Sequence, residues 1–248
     1  MALVHDPSFT HWSGQNIRPP LGSFFNGQSY WIKVHPELGN PNRAVMVVSM
    51  ILQFQFDNSP GGSWSATEKT DFANKFCWAV HDVWNDKFRI TTTSTTVSKA
   101  LRDIGVMFDL RYYIDGWHTS DDFELSVTKQ SADTPWMVST CAYSSGNTTL
   151  DSNDLRPETK GASMKQRDAV HEFGHMLGLR DEYAAAKSNM NHLGDLDSIM
   201  NLGEVVRDRH YAPFAGWLTD KASTIARLTN STIEYKVNGV RDMSNAAL

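Results

Sequence analysis

His171 and His175 stand four residues apart, and Glu172 follows the first directly. On a helix that spacing projects both imidazoles from one face, a turn apart, and two nitrogens so placed can converge on one Zn²⁺. Glu172 lies about 100° round the helix from His171 and about 60° from His175, so its carboxylate flanks the ion without filling its coordination. A carboxylate there can take a proton from water, whose pKa the metal lowers to roughly 7.

Two nitrogens and one water leave a tetrahedral centre one ligand short. Gly178 closes the helix three residues after His175, and a left-handed residue there reverses the chain. The reversal brings Asp181 back as third ligand, giving HExxHxxGxxD, with Glu182, His192, Asp195, Asp197 and Glu204 open as alternatives. At this composition HExxH arises by chance in about one chain in a hundred, and the added glycine lowers that by roughly tenfold or more.

Other candidates are weaker. His210 and Tyr211 are candidate catalytic donors to the oxygen on which charge develops during amide hydrolysis, where a preorganised donor is worth roughly 3 kcal/mol. In the competing reading Tyr211 staples the start of the last helix and His210 is solvated. Arg207 and Arg209 read as partners for Asp181, Glu182 or Glu204. Asp151, Ser152, Asn153 and Asp154 offer oxygen ligands for Ca²⁺ but lack the glycine and distal glutamate of an EF-hand loop, so a solvated turn competes.

These residues need a scaffold. Residues 1–40, rich in Pro, Gly, Asn and aromatics, are expected to be an irregular segment packed by Trp12, Phe24, Phe25, Tyr30 and Trp31 on a single domain spanning 41–248. A strand is expected over 43–56, and a helix capped by Ser65 and Glu68 runs to Trp84 with Phe72, Phe76, Val80 and Val83 on its apolar side. Strands follow over 88–96, 106–114, 123–128 and 136–142. The metal helix is expected from Ser163 to Leu177, a last helix over 213–228 and a last strand over 232–237. The fold class is α+β, a mixed twisted sheet packed on two long helices.

Composition narrows the partners. Twenty-eight acidic against 23 basic residues give a formal charge of -5, which provides no basic footprint for nucleic acid. No apolar stretch reaches the ~18–20 residues of a membrane span. Two cysteines, Cys77 and Cys141, exclude a disulfide-dense scaffold and a multi-cysteine metal cluster.

HExxHxxGxxD followed 25 residues after His175 by Met200, within Ser198-Ile199-Met200-Asn201, resembles the metzincin zinc peptidases, and in its aspartate form is similar to the immune inhibitor A and snapalysin peptidases. The resemblance is tight over residues 164–217 and topological elsewhere. It implies a zincin-like catalytic domain in which Met200 forms an apolar floor beneath a zinc ion. There are departures: Leu179-Arg180-Asp181 replaces Leu-Pro-Asp, and Leu202 stands where some members carry a tyrosine that assists the metal.

The expected activity is zinc-dependent endopeptidase, with Glu172 as general base, ligands His171, His175 and Asp181, and an extended peptide paired to an edge strand within 136–149 of a monomer. The alternative is a non-catalytic binding module, or a delivered toxin, whose zinc is structural. That would require a fourth protein ligand such as His192 or His210. The first residues lack the basic start and apolar run of a signal peptide, so secretion or specialised export without a visible leader is expected.

Overall fold

The structure is a computed structural model that describes residues 13–14, 30–58, 61–116, 121–131, 137–142, 145–183, 190–229 and 232–240. A two-residue strand β1 (Ser13–Gly14) pairs with β2 (Trp31–Glu37), which turns into the long strand β3 (Asn40–Asp57). Helix α1 (Ala66–Trp84) follows, then β4 (Phe88–Thr91), β5 (Asp103–Ile114), β6 (Phe123–Thr128), β7 (Thr140–Ala142) and β8 (Asn147–Asp151). Strands β9 (Glu158–Thr159) and β10 (Lys165–Gln166) make a separate small pair before α2 (Asp168–Met176), α3 (Ala212–Thr229) and β11 (Lys236–Val240).

The fold is α+β around one nine-stranded mixed sheet in the order β11-β4-β5-β3-β6-β8-β7, with β2 also alongside β3. β3 is its axis. Parallel to β5 along residues 44–54, it pairs on its other side first with β2 and then, from Leu52, with β6. Its even-numbered side chains from Ala44 to Phe56 are buried against the helices, while Val47, Ser49, Ile51 and Gln55 face outward, half-buried. The alternation of a strand with one face in the core thus holds from Met46 to Leu52 and is broken at Val45 and Gln53, which are buried as well.

The expected capping box is present. Ser65 Oγ accepts from Glu68 N, and Glu68 Oε2 accepts from Ser65 N. The buried stripe of α1 is Phe72, Ala73, Phe76, Ala79, Val80, Val83 and Trp84. Trp84, fully buried, donates its indole N–H to Val170 O of α2 at 2.9 Å, so the two helices are tied as well as packed.

Several boundaries differ from expectation. Residues 31–37 form a strand rather than part of an irregular segment; Trp12, Phe24 and Phe25 lie outside the described residues. β4 stops at Thr91, not 96, because Thr92 Oγ1 accepts from Ser94 N and Ser94 Oγ from Thr96 N, hydroxyl turns that displace the strand ladder. Of the strand expected over 136–142 only Thr140–Ala142 forms, and Trp136 lies outside the described residues. The metal helix begins at Asp168, since Ser163 sits at φ +61° and residues 165–166 pair as β10. β5 starts three residues early, and the last strand is Lys236–Val240 instead of 232–237.

The candidate Ca²⁺ stretch is a self-satisfied turn. Asp151 Oδ1 accepts from Asn153 N at 2.6 Å, and Asp154 Oδ2 accepts from Asp151 N at 2.7 Å and Ser139 Oγ at 2.6 Å. No helix among the described residues is long and apolar enough to cross a membrane.

Two measurements test this frame. Ser65→Ala removes the cap and should lower stability by about 1 kcal/mol in urea unfolding. Burial pushes the Asp154 carboxyl from 3.8 up to about 8, so the folded state holds a proton that the unfolded chain releases. Wild-type stability should therefore fall as pH rises through that window, and Asp154→Asn, which has no proton to lose, should flatten the decline in unfolding midpoints taken between pH 5 and 8.

Candidate metal centre

Helix α2 is nine residues long and buried on almost every side, so its position is set by its neighbours rather than by its own propensity. Phe173 meets the rings of Trp84 and Phe108 edge-on, at 5.9 and 5.3 Å between centroids. At its C-terminus Gly178 adopts φ +85°; its N–H bonds His175 O and that of Leu179 bonds Gly174 O, the paired closure of a Schellman motif. The expected reversal is there, and it carries the chain back along the helix face that bears both histidines.

The two imidazoles lie 4.9 Å apart at nearly a right angle. His171 Nδ1 is 2.7 Å from Ile199 O and His175 Nδ1 is 2.8 Å from Leu179 O. A carbonyl only accepts, so both Nδ1 atoms carry hydrogen and both Nε2 atoms are left to face the site. There they meet one atom: Asp181 Oδ1 is 3.2 Å from His171 Nε2 and 3.1 Å from His175 Nε2. A tetrahedral ion with bonds of about 2.0–2.1 Å holds its ligand atoms about 3.3 Å apart.

Glu172 completes the group, its carboxylate within 4.8 Å of both imidazole nitrogens. Two subsets thus compete as the ligand triad. Asp181 Oδ1 lies between the two Nε2 atoms, and Glu172 offers a second carboxylate to the same pair of imidazoles. Glu172 Oε2 is buried with no hydrogen-bond partner among the described residues. Burial, only partly offset by the neighbouring imidazoles, raises the Glu172 pKa.

The electrostatics call for a cation. Burial disfavours charge on His175, yet the Asp181 hydrogen bond and the charges of Glu172 and Asp181 outweigh it and push this imidazole up to about 9. Burial likewise opposes ionisation of Asp181, and the two histidines reverse the balance, holding it well below the usual carboxylate range. A proton or a metal ion satisfies this cluster, and the two compete.

The returning loop is anchored at Glu182. Its N–H donates to Met200 O at 2.8 Å, and its buried carboxylate accepts from Arg209 Nε and Nη2, each at 2.7 Å, and from Ser198 Oγ at 2.6 Å. The turn carrying Met200 is held by Gln166, whose Nε2 reaches the carbonyls of Ile199, Asn201 and Gly203. Met200 is fully buried directly beneath α2: a Cβ on Gly174 would overlap its Sδ and lie 3.2 Å from its Cε.

Other sequence candidates fall elsewhere. Tyr211 is wholly buried; its hydroxyl donates to Trp84 O and accepts from Lys87 N. His210 is 2% exposed, with Nδ1 accepting from Arg207 N at 3.0 Å and Nε2 facing Glu182 and Ser198 at 3.4 Å. Both are packing residues whose polar atoms are engaged internally, so neither is placed to donate to a substrate, and the solvated His210 of the competing reading is also corrected. Among the alternative ligands, Glu182 belongs to Arg209, Asp195 to Arg207 and Arg209, and Glu204 to Arg167. Asp197 is exposed, and His192 lies in a short 3₁₀ turn outside the cluster.

Two site residues went unassigned in the sequence. Tyr183 follows two residues after Asp181, and burial together with the Asp181 charge pushes its phenol up to about 12. Gly174 is the second; a glycine inside a helix costs about 1 kcal/mol relative to alanine, which is itself a signal of close approach. Cys141 and Cys77 are free thiols that burial pushes up to about 12.

Gly174→Ala should therefore destabilise the fold by about 1–3 kcal/mol through overpacking against Met200, read as a lower urea midpoint. No protein-family model matches the chain, and no curated protein matches it significantly.

Proposed function

We propose that the chain is a zinc-dependent endopeptidase of metzincin type. The observation that carries this reading is the convergence of two imidazole Nε2 atoms on Asp181 Oδ1 at 3.1–3.2 Å with the unpartnered carboxylate oxygen of Glu172 beside them. Two nitrogens and one oxygen make a hard-to-borderline donor set suited to Zn²⁺, with His171, His175 and Asp181 as ligands. Met200 under Gly174 and the mixed sheet packed on α1 and α2 agree with the same family.

When bound, zinc supplies Lewis acidity that acidifies water and polarises a carbonyl. Glu172, raised in pKa by burial, accepts the proton of the attacking water at its carboxylate and returns it to the departing amine. Asp181 lowers the net charge of the site below that of three neutral imidazoles. β7 is the terminal strand of the sheet and packs against α2, so its outer edge offers main-chain groups to an extended peptide beside the metal helix.

The alternative, a zinc that only staples a binding module, needs four protein ligands. His210 is engaged with Glu182 and Arg207, and no further histidine or cysteine joins the cluster among the described residues. Glu172 has no use in such a site.

Glu172→Gln should retain stoichiometric zinc and lose about 10²–10⁴-fold in kcat/KM on a peptide library that wild-type protein cleaves and a chelator protects. Unchanged cleavage by this variant would overturn the mechanism.

A further inference from the structure

Gln166 lies on β10, two residues before α2, and its side chain is buried. Its Nε2 stands 3.0 Å from Ile199 O, 3.2 Å from Asn201 O and 2.7 Å from Gly203 O. Three carbonyls around one terminal atom fix the orientation of the amide, since an oxygen there would meet only other acceptors. The turn is tight: Asn201 N and Gly203 N both bond Ser198 O, and a Cβ on Gly203 would overlap Asp197 O. Its alternate carbonyls therefore meet at one buried point, where they would be costly without a donor. Ile199 O differs from the other two because it also accepts from His171 Nδ1 at 2.7 Å, so both of its lone pairs are used.

We propose that Gln166 is a positioning residue for the metal centre: by holding Ile199 O it fixes the ring of His171, so that Nε2 stays aimed at Asp181. The inference rests on the metal-centre reading and adds to it. A hydrogen bond behind an imidazole sets its plane and tautomer only as firmly as the acceptor itself is held. For His175 that acceptor is Leu179 O, four residues on and within the Schellman closure of the same helix. For His171 it lies 28 residues on, in the Met200 turn, and needs a tie of its own. Gln166 supplies that tie from the segment that leads directly into the histidine-bearing helix. Arg167, the next residue, secures the far end of the turn, its main-chain N–H and its guanidinium both reaching Glu204. The roles are separable: Arg167 holds the end of the turn, and Gln166 holds the carbonyl on which His171 leans.

Gln166→Met keeps the bulk of the side chain and removes both N–H donors. Full-length wild type and variants are stripped with chelator and titrated with Zn²⁺ against a chromophoric competitor. The Nδ1–H protons of the zinc-loaded histidines are followed in long-range ¹⁵N–¹H spectra. The expected result is a Kd for Zn²⁺ weaker by about 10–100-fold, with the His171 Nδ1–H signal displaced and that of His175 kept. Ser198→Ala loosens the same turn at Met200 N and Glu182 but leaves Ile199 O its two donors, so it should lower the melting temperature with the His171 signal in place. Should Gln166→Met not fold, Gln166→Asn, which draws the amide back by one methylene, should show the same selective displacement with a smaller loss of affinity. Wild-type affinity and His171 signal in the Gln166 variants would overturn the proposal. Equal displacement of both histidine signals, or the same displacement in Ser198→Ala, would also overturn it, by making Gln166 a folding contact only. Failure of the wild type itself to bind Zn²⁺ would overturn the metal-centre reading on which the proposal rests, and binding without peptide cleavage would overturn only the peptidase reading.

Discussion

One carboxylate oxygen of Asp181 lies almost equidistant from two imidazole nitrogens that have no protein carbonyl to bind, because their partner nitrogens already use Ile199 O and Leu179 O. Three electron-rich atoms at that spacing repel one another unless positive charge lies among them. The surrounding structure keeps them there. α2 is clamped by Trp84, Phe173 and Phe108, its C-terminus is reversed at Gly178, and the returning loop is fastened through Glu182 to the Met200 turn and to Arg209.

That fastening gives the buried polar residues their meaning. Glu182, Ser198 and His210, all nearly inaccessible, would be costly to bury singly. Together with Arg209 they satisfy one another and join three segments distant in sequence: the loop after the metal helix, the Met200 turn and the approach to α3. Gln166 adds a fourth tie, from β10 to the same turn. Metal ligands on loops need this kind of support, since a loop without it has no reason to hold a carboxylate in place.

The parts of this arrangement legible in the sequence were those governed by local rules. Helical spacing placed His171, Glu172 and His175 on one face, the capping box set the start of α1, and a glycine after the helix marked the reversal towards Asp181. What escaped depended on partners far along the chain. Tyr211 bonds Trp84, 127 residues away, and Arg209 bonds Glu182, 27 away, so neither His210 nor Tyr211 could be told from a surface donor by spacing. Strand ends failed where hydroxyl turns at Thr92 and Ser94 offered the backbone other partners.

The long pairing of β3 with β5 has a further consequence. Residues 44–54 find their partners at 104–114, and β3 must also receive β2 and β6 before the sheet offers a surface for α2. Contacts of such separation form slowly and late, since loop-closure entropy is lost before the pairing compensates it. The histidine-bearing helix comes after all of them in the chain and is too short to persist unaided. A partly synthesised polypeptide therefore carries the HExxH residues without the geometry that joins them, and the centre matures only with the last of the tertiary structure.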